Sequence, residues 1–263
     1  MFPQRDLSLM ASVLDEHQIP HVAGWDASRV LWGVPIYVDA TQLIINDEHF
    51  STAMDLITNA GYTPCTDDKC WIVQKTHYVQ FPDGHFHVKW VGEGGHAIGL
   101  YKKSLVYWGL PDFPTEPPAV DDRNFILSND SRLRTPWDPK ITPIKILTKV
   151  ALAETLISLE ARDVDHINWL AHTWHWYMNE SMLHGGQDWI EKKDLLPHFH
   201  EYWELFTTPE RPGIGFAMQD ALRDLHQRML AEGNMPAPPD NCGLTDPKVI
   251  EIFKKYGYGT LRG

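Results

Sequence analysis

The chain has 263 residues, enough for one large domain or two small ones with a core that needs no disulfide or metal staple. Hydrophobic residues make up 43% and charged residues 22%, which excludes wholesale disorder and a membrane-embedded chain as starting points. The 23 Lys and Arg against 35 Asp and Glu leave a net charge of −12, which repels phosphate backbones at long range and argues against non-specific DNA binding.

Residues 8–16 carry Leu9, Val13 and Leu14 at helical spacing before Pro20 and predict a first helix. A short strand or turn over 21–25, a short helix over 27–32 and a buried strand over 42–45 follow, the last closed by Asn46 and Asp47. A helix over 48–59 has Phe50, Met54 and Ile57 on its apolar side and Gly61 as its stop. Between 70 and 108 the stretches CWIVQ, GHFHVKWVG and HAIGLYKKS read as strands, with turns at Asp83-Gly84 and Glu93-Gly94-Gly95. Residues 110–122, rich in Pro and acid, predict a loop, and 124–127 one more strand. The second half reads as helices over 143–161, 164–183, 190–206, 213–232 and 246–256. The division that follows is an α/β region over 1–135 and a mainly helical region over 136–263 packed on it.

Cys65, Cys70 and Cys242 are too few for a disulfide scaffold, so a reducing compartment is the default. The first residues lack the apolar run of a signal peptide and carry Asp and Glu, which a mitochondrial presequence avoids. No stretch approaches ~18 consecutive apolar residues, so a cytoplasmic protein without a membrane span is expected.

His85 and His87, two apart on a strand, share a face and with Cys65 and Cys70 would make a Cys₂His₂ set. Cys-x₄-Cys with His-x-His is a poor zinc signature, and zinc is not expected from it. In the Trp-rich segment 164–183, Ile167, Leu170, Trp174, Tyr177 and Met178 form one face and His166, Trp169, His172 or Thr173, Trp176 and Asn179 another. This reads as a helix buried on two sides, with a ligand-lining helix as the alternative. Arg132, Arg134, Lys140, Lys145 and Lys149 are the main basic concentration; they read as surface charge, or as a phosphate-receiving wall if they meet the Gly24 turn.

Val22-Ala23-Gly24, Gly33, and Asp39 leading into Leu43-Ile44-Ile45 resemble the core of the nucleotidyltransferase superfamily. More particularly, residues 8–163 look like a set of uncharacterised fungal nucleotidyltransferase-like proteins. That likeness rests on Pro64-Cys65 with Cys70, His85-Phe86-His87, Leu100-Tyr101-Lys102-Lys103-Ser104, Trp108-Gly109-Leu110-Pro111, Leu127-Ser128-Asn129-Asp130, Ile146-Leu147, Glu154-Thr155-Leu156 and Arg162-Asp163. The resemblance implies an α+β fold with a small mixed sheet and flanking helices. It also implies a phosphate- or nucleotide-binding turn at Gly24 and Trp25, with Thr41, Lys103, Arg132 and Arg134 as further contacts. Asp39 would serve as base or Mg²⁺ ligand, and His85 or His87 would assist proton transfer.

The sequence departs from that pattern where Gly24 is followed by Trp25 and where Asp39-Ala40-Thr41 replaces a carboxylate pair. Such a set holds Mg²⁺ poorly. The expectation is therefore a repurposed transferase acting on a nucleotide-activated or tRNA-linked small-molecule substrate, one version being an aminoacyl-tRNA-dependent enzyme that forms peptide bonds in cyclodipeptides. A metal-dependent nucleotidyltransferase and a non-catalytic ligand-binding protein are the alternatives.

Overall fold

The structure is a computed structural model that describes residues 4–73, 80–89, 95–166, 170–184, 189–209, 212–233 and 235–239, with Glu251 and Lys255. Helix α1 (Gln4–Glu16) buries Leu7, Met10, Ala11 and Leu14, a stripe at helical spacing. Strand β1 (His21–Ala23) leads through Gly24 into helix α2 (Trp25–Leu31), and strand β2 (Ala40–Ile45) returns antiparallel, pairing Val22 with Ile44. A 3-10 turn over Asp47–His49 starts helix α3 (Phe50–Asn59), which ends ahead of Gly61 at φ +100°, a left-handed conformation suited to glycine.

Strands β3 (Gly84–Val88) and β4 (His96–Lys102) complete a four-stranded sheet in the order β1-β2-β4-β3. Strand β4 runs parallel to β2, with Leu43 opposite Leu100, and antiparallel to β3, with Phe86 opposite Ile98. The chain is thus a mixed α/β protein with a small mixed sheet.

After the short helix α4 (Lys103–Val106) and the loop expected over 110–122, β5 (Phe125–Leu127) pairs with β6 (Lys145–Leu147) in a second sheet. That sheet joins residues from either side of position 135, and one hydrophobic core runs from Leu7 to Met229 through both halves. Helix α5 (Lys149–Asp163) is buried from Ala151 to Asp163 and packs against α6 (Leu170–His184) and α8 (Ile214–Glu232). Helix α7 (His200–Thr207) packs on α8. No helix among the described residues is long and apolar enough to cross a membrane.

Three expectations need correction. Residues 70–73 of the CWIVQ stretch form turns rather than a strand, because the Cys70 and Val73 N–H groups close back on the Asp67 and Cys70 carbonyls. The helix expected from 143 starts at Lys149: Lys145–Leu147 is strand β6, and Thr148 caps α5 by accepting a hydrogen bond from the Ala151 N–H. The helix expected over 190–206 is two 3-10 turns, Lys192–Asp194 and Pro197–Phe199, followed by α7, since Pro197 favours a helix start over a helix interior. The helix expected over 246–256 lies outside the described residues apart from Glu251 and Lys255, both helical.

Candidate functional site

A cavity of about 500 Å³ opens between α2, the start of β2 and α6. Its polar groups come from α2 and α6. Asp26 and Arg29, three apart on one face of α2, form an ion pair of 3.1 Å, and the second guanidinium nitrogen of Arg29 bonds Glu180 of α6. Arg29 is only 1% exposed, and these carboxylates offset the cost of burying its guanidinium.

Gln42 holds Asp26 from the sheet side. Its Nε2 donates to the Asp26 carboxylate at 2.8 Å and its Oε1 accepts the Asp26 backbone N–H at 3.2 Å. Burial pushes the Asp26 carboxyl up from its usual range, against the opposing pull of Arg29 and the Gln42 hydrogen bond. The walls are rich in aromatic residues: Trp71, Tyr101 and Tyr177 line the cavity, and Tyr37 and Trp176 stand exposed among its lining. Among the described lining residues, three carboxylates (Asp26, Asp39 and Glu180) face one cation, Arg29.

Asp39 is exposed and contributes to this cavity, as does Trp25, whose ring is fully buried against Tyr101, Tyr107 and Trp174. The Trp25 ring therefore belongs to the core rather than crowding an approaching phosphate. Gly24 answers a packing demand: an added Cβ would stand 2.4 Å from Gln42 Cβ. Its N–H is spent on the Gln42 carbonyl at 2.8 Å and the Asp26 N–H on Gln42 Oε1, so neither of these two groups is offered to a phosphate. Thr41 lies on the opposite face of β2 from Gln42, buried, with its hydroxyl 2.9 Å from His96 Nε2. Burial lowers the His96 pKa to about 4, so the imidazole is neutral at pH 7.

The basic residues expected to receive phosphate do not gather here. Lys103 pairs with Asp112, Arg132 grips Asp130, and Arg134 lies over Gly33 with its guanidinium on the His184 carbonyl. Lys145 is buried with Nζ on the Thr115 carbonyl, and Lys149 lies between the rings of Trp32 and Trp189. None of the five cations lines the cavity. His85 and His87 are likewise absent from its lining and stand instead with Cys65 and Cys70.

Helix α6 serves two environments. Leu170, Trp174 and Met178 enter the core, while Trp176, Tyr177 and Glu180 line the cavity. Asp26, Arg29, Gln42 and Glu180 escape the sequence reading. The only local signal is the Asp-x-x-Arg spacing on α2, since Gln42 and Glu180 reach this pair from 16 and 151 residues away.

In comparisons with protein-family models, curated proteins and solved structures, no match to this chain was found. The fold and cavity define a mixed α/β protein with a buried charged network beneath an aromatic-walled cleft.

Proposed function

We propose that the protein is a transferase whose substrate enters this cavity by a positively charged, amine-bearing group. The observation that carries the reading is the excess of carboxylates over cations among the described lining residues, set within aromatic walls. An organic cation gains from both features, through Coulomb attraction and through the negative faces of the rings. A triphosphate gains from neither.

The substrate that joins such a cavity to the nucleotidyltransferase-like sequence pattern is an aminoacyl group carried on tRNA. Its α-amine is protonated near neutral pH, and its ester is already activated for acyl transfer. Attack by a second amine forms the amide C–N bond as the ester C–O bond breaks, and the attacking nitrogen's proton passes to the departing ribose hydroxyl. Asp39 is the exposed carboxylate available to relay that proton. Nucleotidyl transfer through Mg²⁺ is the weaker alternative: a pair of metal ions needs several anionic oxygens, and the Asp39-Ala40-Thr41-Gln42 segment supplies one carboxylate.

The test is comparative mass spectrometry of small molecules from bacteria expressing the wild type, Asp39→Ala, Glu180→Gln or an empty vector. A new amide product found with the wild type and depleted in both variants supports the transferase. A nucleotidylated product redirects the reading to nucleotidyl transfer. Four identical profiles favour a ligand-binding protein.

A further inference from the structure

We infer that Cys65, Cys70, His85 and His87 bind one zinc ion, which fixes a wall of the cavity. One ligand atom from each of the four lies within 4.8 Å of all the others. The Cys70 sulfur stands 3.3 Å from His85 Nε2 and 3.1 Å from His87 Nε2. Zn–S bonds near 2.3 Å and Zn–N bonds near 2.0–2.1 Å in a tetrahedron separate ligand atoms by roughly 3.4–3.8 Å. Small side-chain shifts therefore suffice to close the site.

The backbone brings the set together. Alternation along β3 places His85 and His87 on one face. Pro64 bridges Phe86, and the Cys65 N–H donates to the His85 carbonyl at 3.0 Å, so Cys65 is laid beside the same strand. A turn closed by the Cys70 N–H on the Asp67 carbonyl returns Cys70 to the two imidazoles. The spacing alone argues against zinc; the turn and the pairing with β3 supply what the spacing lacks.

The donor set selects the metal. Two thiolates and two neutral imidazoles suit zinc and offer none of the hard oxygens that Mg²⁺ requires. Binding releases the two thiol protons, and the thiolates balance the dication. Four protein ligands fill a tetrahedron, which makes the site structural rather than catalytic.

There is also work for such an ion to do. Apart from the Pro64 bridge, residues 63–73 form no helix or strand, and their apolar anchorage is a small satellite cluster built on Cys70, Ile72 and Ala97. Trp71 and Ile72 from this segment line the cavity described above. The inference does not depend on the transferase reading, because the ion would hold that wall whatever ligand the cavity takes.

The experiment is elemental analysis of the full chain purified without chelator, together with cobalt titration of zinc-stripped, reduced wild-type protein. The expected result is about one zinc per chain, falling at least fivefold in Cys70→Ser and His87→Ala and unchanged in Cys242→Ser. Cobalt should produce tetrahedral visible bands and a thiolate-to-cobalt charge-transfer band, a readout in the wild type that holds even where a variant fails to fold. Zinc below a tenth of an equivalent, with no thiolate–cobalt band, overturns the proposal. So does zinc retained by a folded Cys70→Ser protein.

Discussion

The guanidinium carbon of Arg29 lies 3.9 Å from the centre of the Tyr177 ring, so α6 closes directly over a buried cation of α2. The same guanidinium bonds Asp26 and Glu180, which joins the two walls of the cavity through one side chain. Replacing Arg29 by Met keeps much of the volume but leaves two carboxylates facing each other with their cation removed. The expected loss is about 3–5 kcal/mol, the usual cost of breaking a buried pair from one side. Urea unfolding of the wild type and Arg29→Met checks this, and a loss below about 1 kcal/mol would place the pair among weak surface bridges.

Trp176 gives the opposite separation of effects. The residue is 62% exposed yet contributes to the cavity, so Trp176→Ala should change stability by no more than about 0.5 kcal/mol. Binding of a cationic ligand should weaken several-fold, in keeping with about 0.5–1 kcal/mol for an exposed cation–π contact. Thermal unfolding and ligand titration on the same sample measure the two quantities independently.

Gly24→Ala tests what that glycine is for. The added methyl would stand 2.4 Å from Gln42 Cβ, forcing β2 and α2 apart at the residue that clamps Asp26. Overpacking of this kind costs about 1–3 kcal/mol, and the displaced Gln42 should weaken amine binding as well. A phosphate-binding turn predicts loss of nucleotide affinity instead, so titration with both ligand classes distinguishes the roles.

A pH dependence arises away from the cavity, where His175 Nδ1 stands 3.0 Å from the buried Glu160 carboxylate and the Tyr202 hydroxyl donates to the same group. Burial acts to lower the His175 pKa, but the Glu160 hydrogen bond and charge outweigh it and raise the pKa above 6.5. The folded state then holds the proton more tightly than the unfolded chain. This contribution to stability is complete below the unfolded value of about 6.5 and fades as pH rises through the folded pKa. Urea unfolding of the wild type and His175→Gln at pH 5.5 and pH 8.5 should show the larger difference at pH 5.5.

Much of the sheet is legible in the sequence because its strands are short and bounded. Asn46-Asp47 closes β2, Asp83-Gly84 opens β3, and the apolar run 97–101 gives β4. Strand β6 is hidden because Ile144, Ile146 and Leu147 also fit the helical stripe of α5, and Thr148 as the cap is the signal that separates them. The CWIV stretch carries strand-like residues, yet residues 70–73 fold into turns that set Cys70 beside His85 and His87. Asp39 and Trp25, singled out in the sequence for metal and phosphate chemistry, are both among the residues that line the cavity. The charged floor is not legible in the sequence, since its four members lie on three separate elements and meet only through tertiary packing. Arg132, Arg134, Lys145 and Lys149 lie close in sequence, but each goes to its own partner in the fold.

The most direct test of the central claim is calorimetric titration with a matched pair of ligands, leucinamide and N-acetyl-leucinamide, which differ by the charge on the amine. The account predicts binding of leucinamide alone, weakened about tenfold by Glu180→Gln, consistent with loss of one charge-assisted hydrogen bond. Equal affinity for the two ligands, or tighter binding of ATP with Mg²⁺ than of leucinamide, would contradict it.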